Sequence, residues 1–198
     1  MRSKLFLLCF PFLAPLIVHG QPPPGYYDAA QGLNGAALRN ALHGIINGHD
    51  ASSYNMLWTH FQSTDRRQNG TVWDMYTDQP DGVTAHIFQF GSDQCGDYSV
   101  EGDCYNREHS FPQSWFNEAA PMVTDLFHIY PTDGFVNGIR GNHPFGVVGT
   151  PNTTTSNGSK RGNNVFPGYN GTVFEPIDAY KGDFARSYFY MYTRYWGQ

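Results

Sequence analysis

The chain has 198 residues, a length that suits one domain with a sizeable core. Its 12 basic and 17 acidic side chains give a net charge of −5, which argues against a protein that coats nucleic acid through charge alone. Chemistry at phosphates is not excluded, because a divalent cation and a few local arginines can supply a positive field.

The first twenty residues have the order of a cleaved secretory signal. A positive start with Arg2 and Lys4 precedes an apolar stretch, which ends in small residues just before Gln21. The apolar stretch contains prolines and is shorter than the roughly 20 residues of a membrane span. We therefore expect residues 1–20 to be removed on export, leaving residues 21–198 as a single domain without a membrane anchor. Loss of Arg2 and Lys4 reduces the 12 basic side chains to 10 against 17 acidic ones, a net charge of −7.

Apolar periodicity and turn residues predict the secondary structure. In chain order the pattern predicts helices at residues 33–46 and 54–62, strands at 72–76 and 86–90, a loop at 91–104, a strand at 126–130, a surface loop at 149–172 and a closing helix at 178–196. Pro131 should end the third strand. Thr132 or Asp133 then caps a short helix that runs through Asn137.

Two cysteines, Cys95 and Cys104, remain once the leader is removed. An even number of cysteines in an exported chain predicts a disulfide, with two free thiols as the alternative. The loop that the bridge would close is short, so its stabilisation is about 2–3 kcal/mol. The position of the bridge matters more than this stabilisation, because Cys104 lies four residues before Glu108.

Glu108 and His109 carry the first chemical signal. Neighbours on an extended strand point to opposite faces, so this pair can serve a metal and a water separately. Asn137 follows on a short polar helix and offers an amide oxygen, a hard ligand suited to Mg²⁺ or Ca²⁺. Arg140 lies three residues further on and can bind a phosphate through two parallel hydrogen bonds. A surface glutamate beside a core histidine is the plain alternative for the pair alone.

Two segments around these residues form a specific pattern: NREHSFPQSWF at 106–116 and DLFHIYPTDGFVNGIRGNHPFG at 125–146. They resemble the bacterial endonuclease I family of secreted nucleases, which belongs to the His-Me finger (ββα-metal) class. The resemblance implies an α+β fold in which a ββα-metal core is wrapped by helices. Family members usually continue beyond the closing helix, so we expect a chain that is C-terminally short relative to the family.

The resemblance also implies residue roles. His109 matches the general base, and Glu108 and Asn137 match the metal ligands. The implied cofactor is Mg²⁺, with Mn²⁺ or Ca²⁺ as other occupants. Arg107 and Arg140 are candidates for phosphate binding, although the family's phosphate-contacting arginine has no clear match here.

The remaining histidines are open to other readings. His128 is expected within a strand, where it would either be hydrogen-bonded in a structural role or orient the residues of the site. An alternative is a zinc site that uses His86, His109, His128 and His143. No His-Glu-x-x-His motif or cysteine pair at zinc spacing supports it.

The expected function is that of a secreted or periplasmic Mg²⁺-dependent endonuclease. It should hydrolyse DNA, with RNA as a further substrate, and leave 5′-phosphates as the resemblance implies. Sequence preference should be weak, since a site that contacts phosphates carries little base information. We expect a monomer. The alternative from another class is an extracellular module that binds nucleic acid or a polyanion without cutting it.

Overall fold

The computed structural model describes residues 22–197, so the expected leader lies outside the described residues. The described chain combines helices with small antiparallel sheets, which confirms the α+β class. Its helices are α1 (Gly35–Ile46), α2 (Leu57–Thr64), α3 (Gly134–Arg140) and α4 (Asp178–Arg194). Its strands are β1 (Tyr105–His109), β2 (Ile129–Asp133), β3 (Val148–Thr154), β4 (Lys160–Asn164) and β5 (Thr172–Glu175).

The first sheet is a two-stranded ribbon that leads directly into a helix. β1 and β2 pair antiparallel, from Tyr105 opposite Asp133 to His109 opposite Ile129. α3 starts where β2 ends, because the Asp133 side chain accepts a hydrogen bond from the Val136 amide at 3.0 Å and caps the helix. The predicted cap at Asp133 is therefore confirmed, and the helix runs on beyond Asn137 to Arg140.

The strand predicted at 126–130 is displaced toward the C-terminus. The Asp125 carboxylate accepts a hydrogen bond from the Phe127 amide at 3.0 Å, which holds this stretch in a turn. Pairing begins only at Ile129 and continues through Pro131. Both strands of a two-stranded ribbon are edge strands, so a proline that cannot donate a hydrogen bond is tolerated there.

The strands predicted at 72–76 and 86–90 are wrong. These segments run alongside each other, and the Val72 amide donates to the Phe88 carbonyl at 2.9 Å, but neither forms a regular strand. Asp74 explains the first case. Its carboxylate accepts hydrogen bonds from the Tyr76 amide at 2.7 Å and the Thr77 hydroxyl at 2.9 Å, and so bends the chain into a turn.

The prediction of one surface loop at 149–172 is also wrong, because half of this segment belongs to the strands of the second sheet. β4 lies between β3 and β5, and both pairings are antiparallel. These strands are rich in glycine, asparagine and threonine, and lack the apolar alternation that identifies a strand. Their order comes from pairing and from packing of β5, where Val173 and Phe174 are buried.

The main core lies between the two sheets and the closing helix. Its buried members are Met75, Tyr76, Val136, Phe174, Tyr180 and Phe184. Along α4, Phe184 and Met191 are buried, as is Tyr195 just beyond the end of the helix. This core holds α3 and the turn that contains Tyr76 in a fixed position beneath β1.

Cys95 and Cys104 are joined by a disulfide, as the sequence predicts, with their Cα atoms 5.7 Å apart. The bridge ties the loop of residues 95–104 to the start of β1. Across residues 22–197, no helix combines the length and apolar character needed to cross a membrane.

Candidate active site

A small cleft of about 100 Å³ opens where β1 meets α3. Its lining brings together five of the residues singled out from the sequence, which are Arg107, Glu108, His109, Asn137 and Arg140. Strand alternation places Arg107 and His109 on one face of β1, and Glu108 on the face toward α3. Their side chains have different protein partners, Tyr76 and Arg140 for Glu108 and the Val123 carbonyl for His109, and service to a metal and a water stays a prediction.

Glu108 is buried, with 2% of its surface exposed, and both of its hydrogen bonds fall on one carboxylate oxygen. Oε1 accepts from the Tyr76 hydroxyl at 2.8 Å and from Nη1 of Arg140 at 2.8 Å. Burial raises the pKa of the Glu108 carboxyl, and the Arg140 charge and the Tyr76 hydrogen bond act against that rise. Oε2 has no hydrogen bond to any described residue, so it remains available as a ligand atom.

Arg140 joins α3 to β1 from inside the molecule, and only 1% of its surface is exposed. Besides Glu108, its Nη1 donates to the His109 carbonyl at 2.8 Å and its Nη2 to the Ser110 carbonyl at 2.5 Å. The guanidinium also lies over the Phe145 ring, 4.8 Å from its centre. Its phosphate-binding role therefore stays a prediction, and its observed contacts are all with the protein.

The hydrogen bonding of His109 determines which ring nitrogen carries the proton. Nε2 lies 3.1 Å from the Val123 carbonyl oxygen, and a carbonyl can only accept, so Nε2 is the protonated nitrogen. Nδ1 is then an unprotonated acceptor, and it is buried without a hydrogen-bond partner. Burial, reinforced by the neighbouring His128, lowers the pKa of His109 to about 3, which keeps the ring neutral.

His128 packs against His109, with the ring centres 5.5 Å apart and the ring planes 63° apart. Its Nε2 hydrogen-bonds to the Met122 carbonyl at 2.8 Å, and burial lowers its pKa. β2 begins at Ile129, so the expectation that His128 lies within the strand is wrong, and its orienting role stays a prediction. Among the residues described, no three histidine, cysteine or acidic side chains gather as metal ligands, so the four histidines of the zinc alternative are not assembled.

Asn137 faces the cleft from α3 and is held by a neighbour on β1. Its Nδ2 donates to Oδ1 of Asn106 at 2.7 Å, which leaves the Asn137 Oδ1 unused. Asn106 and Glu108 are two residues apart on β1 and therefore share a face. Glu108 and Asn137 line one cleft, and Glu108 Oε2 and Asn137 Oδ1 accept no hydrogen bond from a described residue, so their hard oxygens form a donor set that fits Mg²⁺ with water completing its coordination.

Arg107 lies on the opposite face of β1 and remains partly exposed. Its guanidinium stacks over the rings of Tyr54 at 3.7 Å and Trp58 at 4.4 Å, and its Nη1 donates to the Tyr54 carbonyl at 2.9 Å. The stacking fixes the plane of the guanidinium at the rim of the cleft.

Two residues of this site were not identified from the sequence. Tyr76 supports Glu108 from 32 positions away, and no spacing or motif connects the two. Asn106 had a usable signal, because strand alternation puts it on the same face as Glu108.

A buried carboxylate, a neutral imidazole and an amide thus converge on a strand–strand–helix unit, the arrangement of a candidate hydrolytic centre. The sequence profile of the Endonuclease I family matches residues 34–198. The chain belongs to the Endonuclease I family.

Two curated relatives are similar over most of this chain. An extracellular ribonuclease of Bacillus amyloliquefaciens is 36% identical over 174 residues, which is 87% of this chain and 54% of the relative. An extracellular ribonuclease of Bacillus subtilis (strain 168) is 34% identical over 178 residues, again 87% of this chain and 54% of the relative. The chain spans about half the length of these relatives. No solved structure matches it.

Proposed function

We propose that the chain is a secreted, metal-dependent endonuclease that hydrolyses phosphodiester bonds of RNA and DNA. The observation that carries the proposal is the state of His109. Its proton sits on Nε2 against the Val123 carbonyl, its bare Nδ1 is buried without a hydrogen-bond partner, and the residue lines one cleft with Glu108 and Asn137. Export and action on RNA are supported by the two relatives, which are named extracellular ribonucleases.

His109 acts as the general base in this proposal. Nδ1 accepts a proton from a water molecule, whose oxygen attacks phosphorus as the bond to the 3′-oxygen breaks. The water oxygen stays on the 5′-phosphate product, and the leaving 3′-oxygen takes a proton from solvent. General-base catalysis of this kind contributes roughly 10²- to 10⁴-fold in rate.

Glu108 and Asn137 hold the metal in this proposal, with Mg²⁺ as the resident ion and Mn²⁺ or Ca²⁺ as substitutes. The ion would neutralise phosphate charge and stabilise the leaving oxygen. Arg140 and Tyr76 keep the Glu108 carboxylate in one orientation, because each donates to its Oε1. Oε2 is thereby directed away from the protein partners.

Arg107 is the better candidate for the phosphate contact. Its guanidinium lines the cleft and stays partly exposed, whereas both terminal nitrogens of Arg140 are bound to protein oxygens. A guanidinium fixed in plane by aromatic rings can present two donors to a phosphate. Arg107→Ala should raise KM more than it lowers kcat.

The test uses the mature chain on supercoiled plasmid and on a structured RNA, with Mg²⁺ or with chelator. Cleavage should require Mg²⁺ and should be lost in Glu108→Gln and His109→Ala. Both variants must unfold cooperatively on heating, so that the loss of activity is not a loss of the fold. Products should carry 5′-phosphates. Nucleic acid that is bound but left uncut at every divalent cation tried would favour the binding-module alternative.

A further inference from the structure

A second and larger groove, of about 740 Å³, lies beside the candidate active site. Three aromatic side chains on its wall are exposed, namely Trp115, Phe166 and Tyr169, and Phe166 has 65% of its surface exposed. No aspartate or glutamate lines this aromatic groove. In a chain with more acidic than basic side chains, this is a surface that an anionic ligand can approach.

The aromatic groove adjoins the cleft of the candidate active site. Asn142 lines both cavities. Gln113 lines the cleft and Trp115 lines the groove, and both belong to one short turn of helix, Gln113–Trp115. A chain held in the groove therefore passes directly into the cleft.

The loop that carries Phe166 and Tyr169 is held in place by one side chain. Asn164 donates through Nδ2 to the Phe166 carbonyl at 2.6 Å and to the Tyr169 carbonyl at 2.7 Å. Its Oδ1 accepts from the amides of Phe166 and Val147, both at 3.2 Å. The rings are thus exposed on an ordered backbone, so binding a ligand costs little loop entropy.

Exposed aromatic rings on a fixed backbone favour a ligand with flat faces of its own. A contiguous exposed apolar patch on a protein surface usually marks an interaction site. The volume of the groove is that of a ligand site and not of a folded partner's footprint. Unpaired bases supply faces that stack on aromatic side chains, whereas a duplex keeps these faces inside its own stack.

We propose that the aromatic groove binds unpaired bases of a single-stranded nucleic acid whose scissile phosphate lies in the catalytic cleft. The bases stack on Phe166 and Tyr169, with Trp115 at the junction with the cleft. This inference rests on the proposed function, because it takes the cleft as the place where the phosphodiester is cut. It adds to that function a preference for binding single strands over duplex.

Binding is measured by fluorescence anisotropy in the His109→Ala background, so that the probes stay intact. The probes are short labelled oligouridylate, oligothymidylate and a duplex of the same length. Phe166→Ala and Tyr169→Ala should each weaken single-strand binding about 5-fold or more, the loss typical of one stacked base. Duplex binding should change by less. Similar losses for the two single strands are expected, because both present base faces.

Phe127→Ala is the matched control, since Phe127 is 66% exposed and lines neither the groove nor the cleft. It should bind single strands as the His109→Ala parent does. The inference is overturned if the parent binds duplex as tightly as single strands, if it binds neither, or if Phe166→Ala behaves like Phe127→Ala.

The two proposals fail separately. Wild-type cleavage of RNA or plasmid, together with unchanged affinity in Phe166→Ala, overturns the groove and leaves the nuclease. Loss of single-strand affinity in Phe166→Ala, together with no cleavage by the wild type at any divalent cation, overturns the nuclease and leaves the groove as a binding site.

Discussion

The two sheets differ in how they present polar and aromatic groups. The β1–β2 ribbon and α3 bury a charged pair, with Glu108 2% and Arg140 1% exposed. The β3–β4–β5 sheet carries its aromatic rings outward on a loop that Asn164 holds. Reactive groups need fixed positions and few alternatives, which burial provides. A substrate-binding surface needs access, so its order comes from hydrogen bonds within an exposed loop.

This comparison has a direct consequence for mutagenesis. Substitutions around β1 and α3 should change stability and rate together, because the same contacts position the chemistry and close the core. Substitutions on the loop of residues 165–169 should change substrate affinity with little effect on stability. If a substitution at Phe166 cost as much stability as one at Arg140, the two regions would not differ in this way.

The largest expected effect is the loss of rate in His109→Ala. In the proposed mechanism the imidazole is the general base, so single-turnover cleavage should fall by roughly 100-fold or more. His60→Ala is the control, because His60 lies on α2 and hydrogen-bonds to Ser52 at 2.8 Å, away from the cleft. It should cleave at close to the wild-type rate. A near wild-type rate in His109→Ala itself would remove His109 from the mechanism.

Arg140→Ala should give the largest loss of stability. Breaking a buried ion pair leaves the other charge unpaired, at a cost of about 3–5 kcal/mol, and here Glu108 would remain buried alone. Arg186→Ala removes an exposed arginine paired with Asp183, and should cost about 1 kcal/mol or less. Urea unfolding of both variants makes the comparison.

A double variant sharpens that prediction. Glu108→Gln with Arg140→Met removes both charges, so it should be more stable than Arg140→Ala alone while remaining inactive. Equal midpoints for Arg140→Ala and Arg186→Ala would show that the buried pair does not stabilise the fold.

Much of the catalytic region could be predicted from the sequence. Glu108, His109 and Asn137 stand in a specific motif, and the capping aspartate and the helix after it follow from local rules. The ion pair between Glu108 and Arg140 could not be predicted, because it joins residues 32 positions apart through tertiary packing. The motif contains Arg140 in either case, so it does not indicate whether the side chain faces the solvent or the core.

The second sheet was missed for a different reason. β3 and β4 contain glycine, asparagine and threonine, residues that also mark loops, and their side chains show no apolar alternation. Strand pairing there depends on the partner strands and not on local propensity. The aromatic groove could not be predicted for the same reason. Phe166 and Tyr169 lie in the loop between β4 and β5, and the pairing of these strands brings that loop near Asn142.

The disulfide should have an intermediate effect on stability. Changing Cys95 and Cys104 together to serine should cost about 2–3 kcal/mol, the value for a closed loop of this length. Activity should also fall, since the bridge anchors the loop that leads into β1. Reductant should reproduce the loss in the wild type and leave the double variant unchanged. Free thiols in the denatured, unreduced wild type would contradict the bridge.

The smallest predicted change in stability concerns Asp65, a buried carboxylate without a cationic partner among the described residues. Asp65 is buried at the end of α2 and accepts a hydrogen bond from the Thr64 hydroxyl at 2.6 Å. Burial raises its pKa from 3.8 to about 6, with the Thr64 hydrogen bond acting against the rise. No ion pair reaches Asp65 from the rest of the described chain, in contrast to Glu108 with Arg140.

The direction of the pH dependence follows from this contrast. Between the unfolded pKa near 3.8 and the folded pKa of about 6, the folded state keeps a proton that the unfolded state has released. The contribution of Asp65 to stability is therefore fully present below the lower value and is lost as pH rises through the upper one.

Asp65→Asn removes the ionisation, so it should be more stable than the wild type above pH 7, by on the order of 1–2 kcal/mol, and close to it near pH 4. Urea unfolding at the two pH values measures the difference, with Asp28→Asn as the control for removing one negative charge at an exposed position. An Asp65→Asn variant that is less stable than the wild type at both pH values would mean that the Asp65 hydrogen bond, and not its buried charge, dominates at this position.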